Sequence, residues 1–449
     1  MTHCDLIVIG AGPGGYETAA RAAARGLETV IVERDLPGGT CLNRGCIPTK
    51  ALCRSAEVAA TVREAFDFGV ATTGFTLDYA SACARRDAIV GELRQGVETL
   101  LGGVRVIRGE ARFKGERTIQ VGDEELTAPR VIIATGSRPA PLRAEGAELA
   151  IDSDRLLALD CLPAEIAIVG GGVIGMEFAS IFAAFGSKVS VLEYCPEILP
   201  PFDREIAKRL RMAMKRRGVD IVTQAAVGAI VKDDAGKQEI RYVCKGKEKT
   251  LTADMVVSAV GRRPVIPDGL DKAGVELTER EFIKVDASMQ TSAPGVYAIG
   301  DVNGLCMLAH AASAQGRVVL GDKVDLGVMP SAVFTVPECS MVGLTEEQCA
   351  AQGLDFVTAT STFRANGKAM AMGAADGLVK VIVGRHDRRI LGCHICGPHA
   401  ADLIEEIAVA MVAGMDSARF TSVIHGHPTL SETVAAAMEK ADEAAGKHD

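Results

Sequence analysis

A strand–glycine–helix–strand unit at residues 5–34 occurs a second time at residues 165–193, and few folds accommodate both copies. In the first, the apolar run Leu6–Ile9 leads into Gly10, Gly12 and Gly15 in G-x-G-x-x-G spacing, with Gly14 between them, and an alanine-rich helical stretch follows. A second apolar run, Thr29–Val32, ends in Glu33. The other copy sets Ile166–Val169 before Gly170, Gly172 and Gly175, then a helical stretch to Phe185, the run Lys188–Leu192 and Glu193. Eighteen residues separate the last glycine from the acid in both copies (15 to 33, 175 to 193). The glycines permit a tight turn and the close approach of a pyrophosphate. The helix N-terminus faces the phosphates, and the acid accepts from a ribose hydroxyl. One such fingerprint alone is weak; two complete units with one internal spacing predict two bound dinucleotides.

A chain of 449 residues has room for about three domains. Its net charge of −9, with no run of Lys or Arg, excludes a nucleic-acid footprint. The thirteen cysteines are scattered and odd in number, which argues against a secreted disulfide framework and for a reducing, cytoplasmic setting. The first residues enter an apolar run without a basic segment or cleavage site. The most membrane-like stretch, 166–185, carries Gly170, Gly171, Gly172, Gly175 and Glu177, and reads as strand, turn and helix rather than a span. No membrane association is expected.

Between the fingerprints, a polar helical region (79–101) and short strand-like runs (104–107, 118–121) precede Val131–Pro139, a buried strand with a turn at Gly136. Residues 255–264 close the second unit in the same way. Residues 296–302 form a strand delivering Asp301 into a loop before a helical stretch at 307–320. From about residue 330 the style changes: β-branched runs at 378–383 and 390–395 suggest antiparallel strands, and 400–415 has helical spacing. The expected class is α/β, with two doubly wound units and a C-terminal α+β domain capping them.

Residues 38–50, Gly-Gly-Thr-Cys-Leu-Asn-Arg-Gly-Cys-Ile-Pro-Thr-Lys, place Cys41 and Cys46 five apart among glycines. Helical character resumes at 51–65, so Cys46 should stand at a helix N-terminus with Pro48 in the first turn. That position favours a thiolate. From spacing alone a redox pair and two buried cysteines in a turn are both open.

Together the first fingerprint, residues 38–50, the second fingerprint with Glu193, residues 297–302 and above all His425-Gly-His-Pro-Thr-Leu-Ser-Glu432 resemble the flavin-dependent pyridine nucleotide–disulfide oxidoreductases, in their dihydrolipoamide-oxidising class I branch. The resemblance covers nearly the whole chain. It implies a homodimer with an FAD-binding domain (1–143 and 265–328), an NAD-binding domain inserted in it (144–264) and a dimer-interface domain (329–449). FAD would lie on Gly10, Gly12, Gly14, Gly15, Glu33, Thr40, Lys50, Thr135, Gly136, Ser137, Gly300, Asp301, Met307, Ala309 and His310. NAD would lie on Gly170, Gly172, Val173, Ile174, Gly175, Glu177, Glu193 and Gly261. By the family pattern Cys46 faces the flavin and Cys41 the substrate, and Lys50 pairs with Glu177. His427 is the acid–base, oriented by Glu432, both from the other subunit, and the His427–Pro428 bond is cis. The implied reaction oxidises protein-bound dihydrolipoamide to lipoamide through a Cys41–Cys46 disulfide and reduces NAD+. The implied partner is a lipoylated carrier domain of a 2-oxoacid dehydrogenase or glycine cleavage complex. The alternatives are a reductase of another low-molecular-weight disulfide, and a flavoprotein subunit without its own turnover.

The residues themselves qualify these roles. A carboxylate at Glu193 accepts from a 2′-OH but repels a 2′-phosphate, and Tyr194-Cys195-Pro196 offer no arginine, so NAD is expected over NADP. Glu432 follows Thr429 by three residues, which is also capping-box spacing. His425 and His427 could be metal ligands but lack a third, so no metal is expected. Cys393 and Cys396 form a C-x-x-C without a βα turn, which reads as core packing. The run His310–Gly316 lacks the charged residues the family often carries there.

Overall fold

The structure, a computed structural model, describes residues 2–234 and 236–446. Two parallel five-stranded sheets dominate, and beyond one edge strand the other four strands of each follow the same order. The first runs Val296–Ala298, Arg130–Ile133, Leu6–Ile9, Thr29–Glu33, Arg105–Arg108. The second runs Ile151–Asp152, Met255–Ser258, Glu165–Val169, Lys188–Glu193, Asp220–Thr223. In each the fingerprint strand is central, flanked by the strand ending in the acid and by the strand that closes the unit. Both faces of these strands are covered, which is why Leu6–Ile9 and Ile166–Val169 are apolar throughout and fully buried. Expected strand and helix positions in both units are met within a residue or two.

The two sheets are tied by a short antiparallel ribbon, Ser137–Pro139 against Arg262–Pro264, formed by the two segments that cross between them. Chain order therefore inserts one unit within the other. Sequence periodicity left two features of these units unread. Strands Ala225–Lys232, Gln238–Cys244 and Lys247–Ala253 form a three-stranded antiparallel meander, whose last strand is largely exposed and carries Lys247, Glu248 and Lys249. An amphipathic helix, Arg204–Arg216, packs one face into the second core.

The C-terminal region is a five-stranded antiparallel sheet in the order Ser331–Val333, Glu338–Gly343, Ile390–Gly397, Leu378–Gly384, Phe356–Thr362. The helices Ala400–Val412 and Glu432–Gly446 share its core, so the α+β expectation holds. Cys393 and Cys396 are both fully buried on one strand, as packing residues would be. No helix among the described residues is long and apolar enough to cross a membrane. Residues 447–449 of the polar tail lie outside the described residues.

Candidate active site

The two fingerprints build the same cradle twice. Gly10 and Gly170 adopt φ of +102° and +110°, where a side chain would be strained. A Cβ on Gly15 would stand 1.9 Å from the Gly10 carbonyl oxygen, and one on Gly175 at the same distance from that of Gly170. The helices Pro13–Ala24 and Val173–Phe185 start at Gly12 and Gly172 with no side-chain cap, leaving their first N–H groups free. An added Cβ at either Gly12 or Gly172 would meet nothing within 4 Å, so each helix end opens on space suited to a diphosphate. Glu33 accepts from the amides of Ala11 (2.6 Å) and Asp35 (2.8 Å). Glu193 repeats this with Gly171 and with Cys195 at 2.6 Å. Both carboxylates are thus fixed in orientation, and each oxygen keeps lone-pair capacity for a ribose hydroxyl.

The cysteine segment is folded onto the first cradle. Gly38 donates its amide to the Ala11 carbonyl at 2.8 Å, and a Cβ on Gly39 would lie 2.6 Å from the Gly12 Cα. Residues expected as a glycine-rich turn in fact include a short helix, Gly39–Arg44, carrying Thr40 and Cys41. The chain turns at Gly45, and a second helix runs from Cys46 to Glu64, starting where the sequence places it. Cys46 occupies its first position and Pro48 its first turn.

The two sulfurs are electrostatically unequal. The hydrogen bond from Cys41 and the ammonium of Lys50 hold the Cys46 thiol down to about 7, against burial and Glu177. Cys41 is pushed up by donating that bond, by burial and by the Cys46 charge. Of the two, Cys46 is the thiol more readily deprotonated. Lys50 stands one turn after Cys46 and meets Glu177 from the second unit at 2.9 and 3.0 Å. Burial disfavours the ammonium, but Glu177 more than offsets this and its pKa is raised. Glu177 Oε1 also accepts from the Phe334 amide at 3.0 Å, and Lys50 Nζ lies 4.5 Å from the Phe334 ring centre. Phe334 was not anticipated: one of its two contacts is made by the backbone, which leaves no mark in the sequence.

The remaining expected residues cluster at strand ends of the first unit. Asp301 lies in a 3₁₀ turn, Gly300–Asn303, and accepts from the Ser137 hydroxyl, which in turn accepts from Arg262 Nε at 2.7 Å. Thr135 donates to the Val265 carbonyl, and the Gly136 carbonyl accepts from the Val265 amide. Gly300 donates to Gln315 at 2.7 Å. The helix expected at 307–320 begins at Ala309, leaving Met307 half exposed before it, and His310 Nε2 contacts the Pro330 carbonyl. Within this helix Gly316 lies against Thr18, where a Cβ would stand 1.8 Å from the hydroxyl. The uncharged run His310–Gly316 thus includes a close crossing with the first fingerprint helix. Gly261 turns with φ of +109° where the chain leaves the second sheet. Val173 and Ile174 open that unit's fingerprint helix.

His427 projects from the C-terminal domain with 80 % of its side chain exposed, and its Nδ1 lies 2.9 Å from Glu432 Oε1. Glu432 Oε2 accepts from the Thr429 amide at 2.9 Å, so one carboxylate makes both the capping contact and the contact with the His427 ring. That amide, then His427, hold the Glu432 carboxyl below its ordinary range. With Nδ1 donating to a carboxylate, Nε2 presents a lone pair outward. The His427–Pro428 bond is cis. Among the described residues no cluster of His, Cys, Asp or Glu is arranged to hold a metal.

Comparison with known proteins agrees with this geometry. The pyridine nucleotide-disulphide oxidoreductase profile matches residues 4–316, and the dimerisation domain of the same enzymes matches residues 329–438. Dihydrolipoyl dehydrogenase of Geobacillus stearothermophilus is 39% identical, covering 98% of this chain and 96% of its own. That of Thermus scotoductus is 42% identical over 98% and 97%. Among solved structures, the HOCl-induced flavoprotein disulfide reductase RclA from Escherichia coli superposes with a TM-score of 0.85 at 29% identity, over 97% of this chain and 99% of that one.

Proposed function

The chain belongs to the pyridine nucleotide-disulphide oxidoreductase family, and from that premise we propose that it is a dihydrolipoyl dehydrogenase. It is a homodimeric flavoprotein that uses FAD and NAD. In this reading residues 1–143 and 265–328 bind FAD, 144–264 bind NAD and 329–449 form the dimer interface. The observation that carries the proposal is the inequality of Cys41 and Cys46 beside Lys50, on a segment folded against a dinucleotide cradle.

The oxidised enzyme holds a Cys41–Cys46 disulfide. His427 Nε2, from the partner chain of the dimer, takes a proton from one thiol of dihydrolipoamide, since only a thiolate attacks a disulfide. The thiolate bonds to Cys41 Sγ and the Cys41–Cys46 bond breaks. Cys46 leaves as thiolate, a departure favoured by its low pKa and by Lys50. The second substrate thiol then attacks the mixed disulfide, lipoamide departs, and Cys41 takes a proton. Gly10, Gly12, Gly15, Glu33 and Asp301 would hold the flavin, which would supply the route for the electron pair from the dithiol to NAD+ as hydride. Glu193 favours NAD over its 2′-phosphate by charge. The net change is dihydrolipoamide plus NAD+ to lipoamide, NADH and a proton.

The physiological donor in this reading is a lipoylated carrier domain of a 2-oxoacid dehydrogenase or glycine cleavage complex, and the setting is cytoplasmic. A steady-state assay with free dihydrolipoamide and NAD+ tests the reading. Efficient NADPH-driven reduction of another disulfide, with poor dihydrolipoamide oxidation, would replace it.

A further inference from the structure

Beside His427 stands a second histidine–carboxylate couple. Glu406, on the helix Ala400–Val412, has one carboxyl oxygen, Oε1, buried without a hydrogen-bond partner among the described residues. Its other oxygen lies 3.7 Å from Nε2 of His425. Burial raises the Glu406 pKa and His425 opposes the rise, so the two groups sense one another. A carboxylate kept there with an unpaired oxygen costs stability, which packing alone does not explain.

The His425 ring is held on several sides. Nδ1 contacts the Val423 carbonyl at 3.1 Å, the ring lies 5.7 Å from that of Phe420, and only 10 % of the side chain is exposed. Two residues on, the His427 ring is held through Nδ1 by Glu432 and is 80 % exposed. Between them the Gly426 carbonyl accepts from the Thr429 hydroxyl at 2.6 Å. The segment 423–429 is thus gripped by one carboxylate on each side of its turn.

We propose that Glu406 and His425 are a positioning pair that fixes the segment presenting His427, so that Nε2 meets the substrate thiol in reach for proton transfer. This rests on the reading of His427 as the acid–base. Neither His425 nor Glu406 touches substrate in this account; they act through the backbone between residues 425 and 427. The two histidines, which their spacing alone offered as metal ligands, instead face separate carboxylates.

The test uses the FAD-loaded dimer and the variants Glu406→Gln, His425→Gln, their double, Glu406→Asp and His427→Gln. Two activities are followed: dihydrolipoamide oxidation by NAD+, and NADH-driven reduction of ferricyanide, which bypasses dithiol exchange. Glu406→Gln and His425→Gln should each lower kcat for dihydrolipoamide about tenfold with KM changed less than about twofold, as expected of a misplaced base. The double variant should be no worse than either single one, Glu406→Asp should recover part of the loss, and ferricyanide rates should hold. Unchanged kcat in Glu406→Gln while His427→Gln abolishes turnover would overturn the pair. So would additive losses, or a parallel fall in ferricyanide reduction, which marks general damage. Full turnover in His427→Gln is a separate result that removes the acid–base reading and the pair with it.

Discussion

Lys50 and Glu177, 127 residues apart and on different Rossmann units, meet through both carboxylate oxygens at 2.9 and 3.0 Å. The contact joins the helix that begins at Cys46 to the second fingerprint helix, and the Phe334 amide from the C-terminal region completes it. Three parts of the chain therefore converge behind one sulfur. Replacing Glu177 by Gln removes the countercharge of a largely buried ammonium. The expected cost is about 2 kcal/mol, less than the ~3–5 kcal/mol of a fully buried pair because a third of Lys50 is exposed, and it would be read as a lowered melting temperature.

Lys50→Met should act on Cys46 in the opposite sense to its present environment. The ammonium lowers the Cys46 thiol, which stands at about 7, so its loss moves the thiolate transition to higher pH. Alkylation rates of the reduced enzyme as a function of pH report this directly. The half-point should rise in the variant, and an unshifted profile would assign the low pKa to Cys41 and the helix terminus alone.

The twin cradles separate the two cofactors by mutation. Gly15→Ala forces a Cβ against the Gly10 carbonyl and should yield protein lacking the flavin spectrum. Gly175→Ala makes the same clash at Gly170 and should retain flavin while NAD+ saturation is lost. The reverse pattern would exchange the two assignments.

Glu193→Ala should lower kcat/KM for NAD+ by about 10- to 100-fold, the worth of a hydrogen bond to a charged acceptor. NADP+ should not become a good substrate, since no arginine stands at Tyr194–Pro196 to take its phosphate. Because Glu193 also holds the amides of Gly171 and Cys195, a loss of thermal stability should accompany the change.

Much of this site could be read from the chain before its fold was known, and the reasons are physical. Glycine fingerprints are legible because several of their glycines answer a local steric demand, as Gly10 and Gly15 do, while Gly12 leaves the space open. The Lys50–Glu177 contact came from the family pattern and not from spacing, because 127 residues separate the two. Glu432 offered two readings because its two oxygens do two things. The Gly39–Arg44 helix was not legible, since contact with Gly12 rather than propensity stabilises it. The meander at 225–253 was missed because its last strand faces solvent and shows no apolar alternation. Phe334 was missed because its partner Glu177 lies far along the chain, and Glu406 because it stands outside any motif on the helix before His425.

The central claim is that electrons enter through Cys41 and Cys46. Steady-state formation of NADH from dihydrolipoamide and NAD+, compared between the FAD-loaded dimer and its Cys46→Ser variant, tests it most directly. The account predicts steady NADH production by the unaltered enzyme and none above background in the variant. Undiminished turnover by Cys46→Ser would contradict it.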